Sequence, residues 1–346
     1  MKAFGYTKNS KTLTPNSIQA IELDTPTATG HDLLIEVNAI SVNPVDTKIR
    51  ANVAPEQGYK VLGWDGVGVV KAVGESVSLF NVGDRVFYAG DLSRQGSNAQ
   101  FQLVDERIVG RAPKTLTDAQ AAALPLTSIT AYEMLFDRLQ VPKNKQNTQQ
   151  SILVIGAAGG VGSILVQLAK QLTGLNVVGT ASREQSVTWL KELGADHVLD
   201  HSKNLNEQRK ELGLAEFDYV IGLTHTDQYQ DQIVECIKPQ GKFALIDDPT
   251  SFDILKFKRK CISVHWEFMF TRSLFTTADI TAQHTLLNEI SELIDAGTLK
   301  TTLGQNLGPI NAANLYKAHQ ILESHTSRGK LVLEGFEAWT RLKKYF

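Results

Sequence analysis

The hydrophobic pattern of the chain changes character near residue 125. Before this point, short runs of β-branched and aromatic residues are separated by Gly, Pro, Asn and Asp, a pattern typical of antiparallel strands. The runs of ordinary strand length are Leu33–Ile40, Gly66–Val73, Asp84–Tyr88 and Ala99–Val104. The first part of the chain is therefore predicted to be antiparallel β structure, with glycines at its turns and bulges.

After residue 125, helical periodicity alternates with short apolar strands. Two helical stretches, Asp118–Ala123 just before this point and Pro125–Leu139 from it onward, precede a polar connection, Pro142–Gln150. The strands predicted beyond it are Ile152–Ile155, Val177–Thr180, His197–Asp200, Tyr219–Leu223, Lys242–Ile246 and Ile262–Glu267. The helices predicted between them are Val161–Leu172, Gln185–Leu193 and Gln228–Cys236. This alternation predicts a parallel, doubly wound sheet.

The last part of the chain returns to the character of the first. A long helix, Thr281–Ala296, leads into the extended segment Leu299–Pro309, the helix Ala312–Glu323 and a final strand, Lys330–Leu333. A chain of 346 residues is longer than one hydrophobic core usually supports, so two domains are expected. We predict a discontinuous domain of residues 1–126 and 269–346, and an inserted domain of residues 127–268.

Composition narrows the class of partner. The chain has 35 basic and 37 acidic residues, interspersed, which gives no basic surface for nucleic acid or an anionic membrane, so a small molecule is the expected partner. Cys236 and Cys261 are too few for a disulfide framework and favour a reduced compartment. Neither a secretory signal nor an apolar run of about 18 residues is found. We therefore expect a soluble, cytoplasmic protein without a membrane partner.

The most specific chemical signal is the Gly-rich turn after the strand Ile152–Ile155. The turn Gly156-Ala157-Ala158-Gly159-Gly160-Val161-Gly162 reads AxGxxG from Ala157 and opens a helix. In the dinucleotide fingerprint, the second glycine admits the pyrophosphate, the third lets helix and strand pack closely, and the helix N-terminus binds phosphate. We predict cofactor contacts at Gly159, Gly160, Val161 and Gly162. The alternative is a Gly-rich turn that binds nothing.

The end of the next strand favours NADPH over NADH. An NAD site normally has Asp or Glu there to hold the ribose 2′-OH, whereas this chain has Ser182 and Arg183. A hydroxyl and a guanidinium suit a 2′-phosphate, although Arg183 could also be an ordinary solvated residue. Glu184 follows at once, and a shift of one position would place an acid at the ribose. His201, after the third strand, either contacts the adenosine end or lies on the surface.

Seven short motifs, spread over nearly the whole chain, occur in the order in which one protein family has them. They are Ser41–Asp46 with Arg50, Val61–Val70, Val73–Glu75 with Val82–Val86, Ala121–Thr127, Ala157–Gly162, Leu193–Asp196 and Arg328–Lys330. With them the sequence resembles the medium-chain dehydrogenase/reductase superfamily, in its quinone oxidoreductase branch, which is often labelled zinc-type alcohol dehydrogenase-like. The resemblance implies an α/β protein: a GroES-like, partly open β-barrel catalytic domain and a doubly wound Rossmann domain for NADP(H), with the active site in the cleft between them.

The resemblance does not extend to the zinc ligands. Where zinc members have a ligand cysteine, this chain has Asn43-Pro44, and where they have His-Glu it has Trp64-Asp65. The segment from about Tyr88 to Ala112, where a structural zinc lobe is expected, contains no cysteine. Zinc sites are built from Cys, His and carboxylate ligands. We therefore expect no metal.

Without a metal to polarise an alkoxide, oxidation of a simple alcohol is disfavoured. Hydride transfer from NADPH to a quinone, or to an activated carbonyl or enone, remains feasible because the cofactor supplies the difficult chemistry. The nearest alternative is an enoyl or enone reductase of the same fold. A protein that binds NADPH with little catalysis is the alternative outside enzymes.

Family position suggests the remaining site residues. Asn43 is expected near the nicotinamide with Asp46 close by, although Asn43 could be a turn residue and Asp46 a helix cap. Tyr59 is a candidate proton donor or a packing aromatic. Thr127 is expected to reach the nicotinamide, and Lys330, in the last motif, is assigned to the cofactor. The family commonly pairs its Rossmann sheets edge to edge, so we also expect a homodimer.

Overall fold

The computed structural model describes residues 1–56, 58–146 and 149–337, which form two compact units. Unit 1 comprises Met1–Pro125, Arg272–Ser291 and the described part of Leu303–Phe346, and unit 2 comprises Leu126–Thr271 and Glu292–Thr302. The placement of Glu292–Thr302 in unit 2 differs from the expected division, which assigned all of 269–346 to the first domain. Its grouping has a local cause, because the Gln167 side-chain amide of unit 2 accepts a hydrogen bond from the Lys300 N–H at 2.8 Å and donates one to the Lys300 carbonyl oxygen at 3.2 Å.

The strands and helices follow in chain order. The strands are β1 Lys2–Tyr6, β2 Gln19–Glu22, β3 Asp32–Val42, β4 Lys60–Val61, β5 Gly66–Val73, β6 Arg85–Tyr88, β7 Phe101–Asp105, β8 Val109–Arg111, β9 Ser151–Ile155, β10 Asn176–Thr180, β11 His197–Leu199, β12 Phe217–Gly222, β13 Ile237–Leu245, β14 Ser263–Trp266, β15 Leu303–Asn306 and β16 Lys330–Glu334. The helices are α1 Pro44–Asn52, α2 Asp118–Ala122, α3 Pro125–Tyr132, α4 Gly160–Leu172, α5 Glu184–Glu192, α6 Leu205–Glu211, α7 Thr226–Cys236, α8 Leu255–Lys258, α9 Thr271–Leu274, α10 Ala282–Asp295 and α11 Ala312–Glu323. A π-helical segment, Glu133–Arg138, extends α3. Among the described residues, none of these helices has the length and hydropathy needed to cross a membrane.

Unit 1 is organised around the long strand β3. This strand pairs with β5, β7 and β16, all antiparallel, and its register against β5 shifts between Leu34 and Ile35 and again between Val37 and Ala39. Such bulges bend a strand and increase its twist, which lets one strand serve several neighbours around a barrel. The pairing of β3 with β16 brings the end of the described chain next to Val42.

Unit 2 is built on a parallel sheet in the order β11-β10-β9-β12-β13-β14. Every residue of β9 is buried, as expected for a central strand covered on both faces. In a doubly wound sheet, ligands bind beyond the carboxyl ends of the strands where the strand order reverses, which is here beside β9. The structure confirms the α/β class, with a GroES-like unit and a Rossmann unit.

Candidate cofactor and active site

The Gly-rich turn has the shape that a dinucleotide needs. Gly156 has a φ of +81°, and Gly159 is the N-cap of α4. A Cβ at Gly159 would meet only the Gly156 carbonyl oxygen, at 3.5 Å, so the space in front of this residue is open. A Cβ at Gly162 would lie 2.3 Å from the Ala157 oxygen, so this glycine is needed for close packing. The first N–H groups of α4 lack partners within the helix, as at any helix start. This turn therefore fits a pyrophosphate.

The expected ribose-binding residues lie just beyond β10. The strand ends at Thr180, whose Oγ1 accepts a hydrogen bond from the Gly156 N–H at 3.1 Å and so joins the two loops. Ser182 and Arg183 follow, both exposed, and Arg183 is the N-cap of α5. Glu184 is the first residue of that helix and is also exposed. The residues at this edge therefore include both a cation and an acid.

Two histidines from neighbouring loops join Arg183 at this edge. Burial lowers the pKa of His201, and Arg183 and His225 lower it further, against the effect of Asp200. His225 was missed in the sequence. It has a left-handed backbone (φ +51°, ψ +37°), and its Nδ1 shares a 2.7 Å hydrogen bond with Thr224 Oγ1. Thr224 also lies against Gly156, because a Cβ there would be 2.9 Å from Thr224 Cγ2. Arg183, His201 and His225 are thus close enough to interact electrostatically, and His225 follows Thr224, which lies against the Gly-rich turn.

Thr127, the remaining cofactor candidate of unit 2, lies near the start of α3. Its side chain is buried.

In unit 1, a buried polar cluster forms around Asn43, which precedes Pro44 at the start of α1. Asn43 Nδ2 donates to Asp65 Oδ2 at 2.7 Å, and Asn43 Oδ1 accepts from Lys330 Nζ. Ser41 Oγ donates to the same Asp65 oxygen at 2.6 Å. Asp65 is not among the site residues predicted from the sequence, where it is only part of the Trp64-Asp65 pair that stands in place of the His-Glu of zinc members. The strand pairings explain the assembly, because Leu331 faces Val42 and Gly66 faces Ile40.

Asp46 adjoins this cluster through the backbone of Asn43. Its Oδ2 accepts a hydrogen bond from the Asn43 N–H at 2.8 Å, so it closes the first turn of α1. Burial raises the pKa of Asp46 to about 7, against the lowering effects of the Asn43 N–H and the Lys330 ammonium. The carboxyl group can therefore change its protonation state near neutral pH.

Tyr59 lies apart from these polar contacts. It is half-buried and packs against a small apolar cluster of Ala3, Val61 and Ala99. It also lines a groove of unit 1 with a volume of about 1130 Å³. The predicted residues Asn43, Asp46 and Lys330 are thus brought together, whereas the contacts of Tyr59 are with the apolar cluster.

The comparisons with known proteins agree with this architecture. A model described as "Alcohol dehydrogenase GroES-like domain" matches residues 29–115, and one described as "Zinc-binding dehydrogenase" matches residues 193–333. A zinc-type alcohol dehydrogenase-like protein of Staphylococcus epidermidis is 41% identical over 335 residues, which covers 96% of this chain and 99% of that protein. The chain belongs to the zinc-type alcohol dehydrogenase-like family of medium-chain dehydrogenases/reductases. It is therefore an oxidoreductase by family.

Other members extend the comparison. A crystal structure of a Rhizobium etli CFN 42 protein, provisionally named a zinc-dependent alcohol dehydrogenase, is 55% identical, with a TM-score of 0.94 over 98% of this chain and 99% of that one. An NADPH-dependent alkenal/one oxidoreductase of Arabidopsis thaliana is 28% identical, covering 87% of this chain and 71% of that protein.

The names of several relatives refer to zinc, so the ligand chemistry of this chain matters. In the ranges that the structure describes, no group of three or more His, Cys, Asp or Glu side chains is placed to hold a metal ion. At the expected ligand positions, Asn43 and Asp65 are engaged with Lys330. These residues do not form the donor set that zinc prefers.

Proposed function

We propose that this oxidoreductase uses NADPH to transfer hydride to a quinone or to another activated carbonyl or enone, without a metal. The main support is the pairing in unit 2 of an open Gly-rich turn with a sheet edge where the Arg183 guanidinium and the His201 imidazole lie close together. The Arabidopsis relative, which is NADPH-dependent and acts on alkenals and alkenones by its name, supports the same cofactor and the enone class.

Each part of the cofactor has residues in unit 2 that suit it. Gly159, Gly160, Val161 and Gly162 would hold the pyrophosphate, because the turn is open and α4 begins there. Ser182, Arg183 and His201 would hold the 2′-phosphate, with Thr127 nearer the nicotinamide. When bound, NADPH supplies a hydride from C4 of its nicotinamide. Lys330 belongs to unit 1, where its ammonium contacts three protein oxygens, so we propose that it acts through Asn43.

The residues of unit 1 would stabilise the negative charge that develops on the acceptor oxygen and supply a proton to it. Asp46 is the candidate proton source, since its pKa of about 7 lets it hold a proton at neutral pH and release it. Asn43 is the candidate polar group at the acceptor, held in one orientation by Asp65 and Lys330. Tyr59 is a second candidate donor, for acceptors that enter the groove it lines.

A panel of quinones, enones, aldehydes and alcohols, each tested with NADPH and with NADH, examines the proposal directly. We expect NADPH oxidation with quinones or enones and little oxidation of simple alcohols, before and after treatment with a chelator. Activity only on alcohols, with loss on chelation, would contradict it. Tight NADPH binding with no turnover of any acceptor would favour the binding-protein alternative.

We also propose a cytoplasmic homodimer. Both cysteines are free, Cys236 being buried and Cys261 exposed, in keeping with a reduced compartment. The strand β14 lies at the end of the sheet, and a second copy could pair with its outer edge.

A further inference from the structure

The Lys330 ammonium is held inside unit 1 as a protein holds a bound cation. Its Nζ lies within hydrogen-bonding distance of three oxygens: Asn43 Oδ1, Asp65 Oδ2 at 3.1 Å and the Val42 carbonyl oxygen at 3.4 Å. An ammonium has three N–H donors, so each donor has one oxygen. The side chains of Lys330 and Asp65 are 4% and 0% exposed, so neither water nor salt screens the pair.

These oxygens do not suit the zinc ion that the name of the matching family model implies. Zinc prefers thiolate, imidazole and carboxylate ligands, whereas the atoms around Lys330 Nζ are an amide oxygen, a backbone oxygen and one carboxylate oxygen. A divalent ion among them would also lie within a few ångströms of a fixed positive charge. In a buried site such repulsion is strong. The cation of this site is therefore part of the chain.

The ion pair also fixes the orientation of the Asn43 amide. Nδ2 donates to Asp65 and Oδ1 accepts from Lys330, so a rotated amide would place N–H groups against the ammonium and oxygen against the carboxylate. Ser41 Oγ holds the Asp65 carboxylate from another side, at 2.6 Å. The amide orientation thus depends on Lys330 and Asp65 together.

We infer that the Lys330 ammonium is a tethered cation that stands in unit 1 in place of a metal ion, and that Lys330 and Asp65 are positioning residues for Asn43. The tethered cation is a property of unit 1 alone. The effect on turnover rests on the proposed function, because it requires that Asn43 takes part in hydride transfer.

A double-mutant cycle tests the cation. Lys330→Met and Asp65→Asn should each lower the Tm by on the order of 10 °C, because each leaves a buried charge without its partner. The double variant Lys330→Met/Asp65→Asn should lose clearly less than the sum, since no unpaired charge remains. Lys71→Met is the matched control: its ion pair with Glu36 is 2.8 Å long but exposed, so its Tm should change by no more than about 2 °C. Additive losses would overturn the inference.

Chemical rescue separates a cation from a merely space-filling side chain. Lys330→Ala removes the ammonium together with its stem, and propylammonium should then raise the Tm in a saturable way, whereas sodium chloride of equal ionic strength should not. If a folded Lys330→Ala protein responds equally to both, the site does not recognise a cation. If this variant does not fold, the cycle above decides. A saturable rise in wild-type Tm with Zn²⁺ that Asn43→Ala abolishes would also overturn the inference.

Kinetics test the positioning role. Lys330→Met should lower kcat at least tenfold while the Kd for NADPH changes less than threefold, and it should have little further effect in an Asn43→Ala background, because the amide it orients is then absent. Equal effects of Lys330→Met with and without Asn43 would refute positioning. A wild-type protein that turns over no acceptor would refute the proposed function and leave the stability and rescue results to judge the tethered cation.

Discussion

The guanidinium of Arg183 and the imidazole of His201 lie within electrostatic range of each other, although they follow different strands of the parallel sheet. Adjacent strands β10 and β11 end at the same edge, so the two loops meet there.

Removal of the Arg183 side chain should weaken the binding of NADPH but not that of NADH. If Arg183 binds the 2′-phosphate, Arg183→Ala should weaken NADPH binding by about 1.5 to 3 kcal/mol, or roughly ten- to a hundredfold, and hardly affect NADH. Dissociation constants measured at two ionic strengths check this, because salt should reduce the difference at an exposed site. An equal loss for both cofactors would mean that Arg183 supports the fold or contacts their common part. A wild-type preference for NADH would place Glu184 at the ribose instead.

Protonation of His201 should favour NADPH binding at low pH. Burial and the neighbouring Arg183 and His225 lower the pKa of His201, so its charge, and the attraction for a phosphate, should appear only in mildly acidic solution. His201→Asn should therefore weaken NADPH binding by about three- to tenfold at pH 5.5 and by much less at pH 7.5, and His225→Asn should weaken NADPH binding more than NADH binding.

A matched control for these variants is His325→Asn. His325 is likewise an exposed histidine with a positive φ, of +54°, but lies in unit 1. Because asparagine tolerates the left-handed conformation, the control and His225→Asn disturb the backbone equally little. A loss of affinity in His201→Asn that is the same at both pH values, or a loss in either variant that is the same for NADH, would argue against a phosphate contact.

Alanine substitutions at the two fingerprint glycines, Gly159 and Gly162, should have different effects. At Gly159 a Cβ has open space in front of it, so Gly159→Ala should keep the Tm within about 3 °C yet weaken the binding of both cofactors at least tenfold, because the methyl group would occupy the proposed pyrophosphate position. At Gly162 a Cβ would lie 2.3 Å from the Ala157 oxygen, so Gly162→Ala should lower the stability itself. Calorimetry and cofactor titration of both variants check this contrast. A stable Gly159→Ala protein with unchanged affinity would exclude the turn as the pyrophosphate site.

Two buried groups of unit 1 should give opposite dependences of stability on pH. The pKa of Asp46 is raised by burial to about 7, so its contribution to folding is present below its ordinary pKa of 3.8 and is lost as the pH rises through 7. The pKa of His319 is lowered to about 3 by burial and by Arg50, so its contribution is present above 6.5 and is lost as the pH falls through 3.

Denaturant unfolding from pH 4.5 to 7.5 separates these two contributions. Relative to wild type, Asp46→Asn should gain stability as the pH rises, and His319→Leu should gain stability as the pH falls, each by up to about 1.4 kcal/mol per pH unit. Parallel curves for the wild type and both variants would show that neither group titrates differently in the folded protein.

The homodimer should depend on the edge strand β14. Trp266, at its end, is 57% exposed, so Trp266→Glu should leave the fold intact and place a charge at the pairing edge. Sedimentation should show a dimer for the wild type and a shift toward monomer for this variant. Phe275→Glu is the control, because Phe275 is more exposed and lies in unit 1. A wild-type monomer at all concentrations would refute the dimer.

Several features of the structure could not be predicted from the sequence, each for a physical reason. The strand β2 is largely exposed and β4 has only two residues, so neither shows the alternation by which a strand is found. The site role of Asp65 could not be predicted, because its hydrogen-bonding partners, Ser41, Asn43 and Lys330, are distant from it in the chain. The segment Glu292–Thr302 was assigned by its neighbours in sequence rather than by its contacts with Gln167.

What the sequence determined by itself is local. The Gly-rich turn, the strand before it and the helix after it are consecutive residues whose backbone geometry follows from glycine and from periodicity, so the Rossmann unit and the shape of its Gly-rich turn could be predicted. The tertiary structure alone decided what surrounds Asn43. The pairing of β16 with β3 places Lys330 beside it, and the pairing of β5 with β3 places Asp65 there. Only burial then gives these charges their strength, because low exposure removes the water that would otherwise screen them.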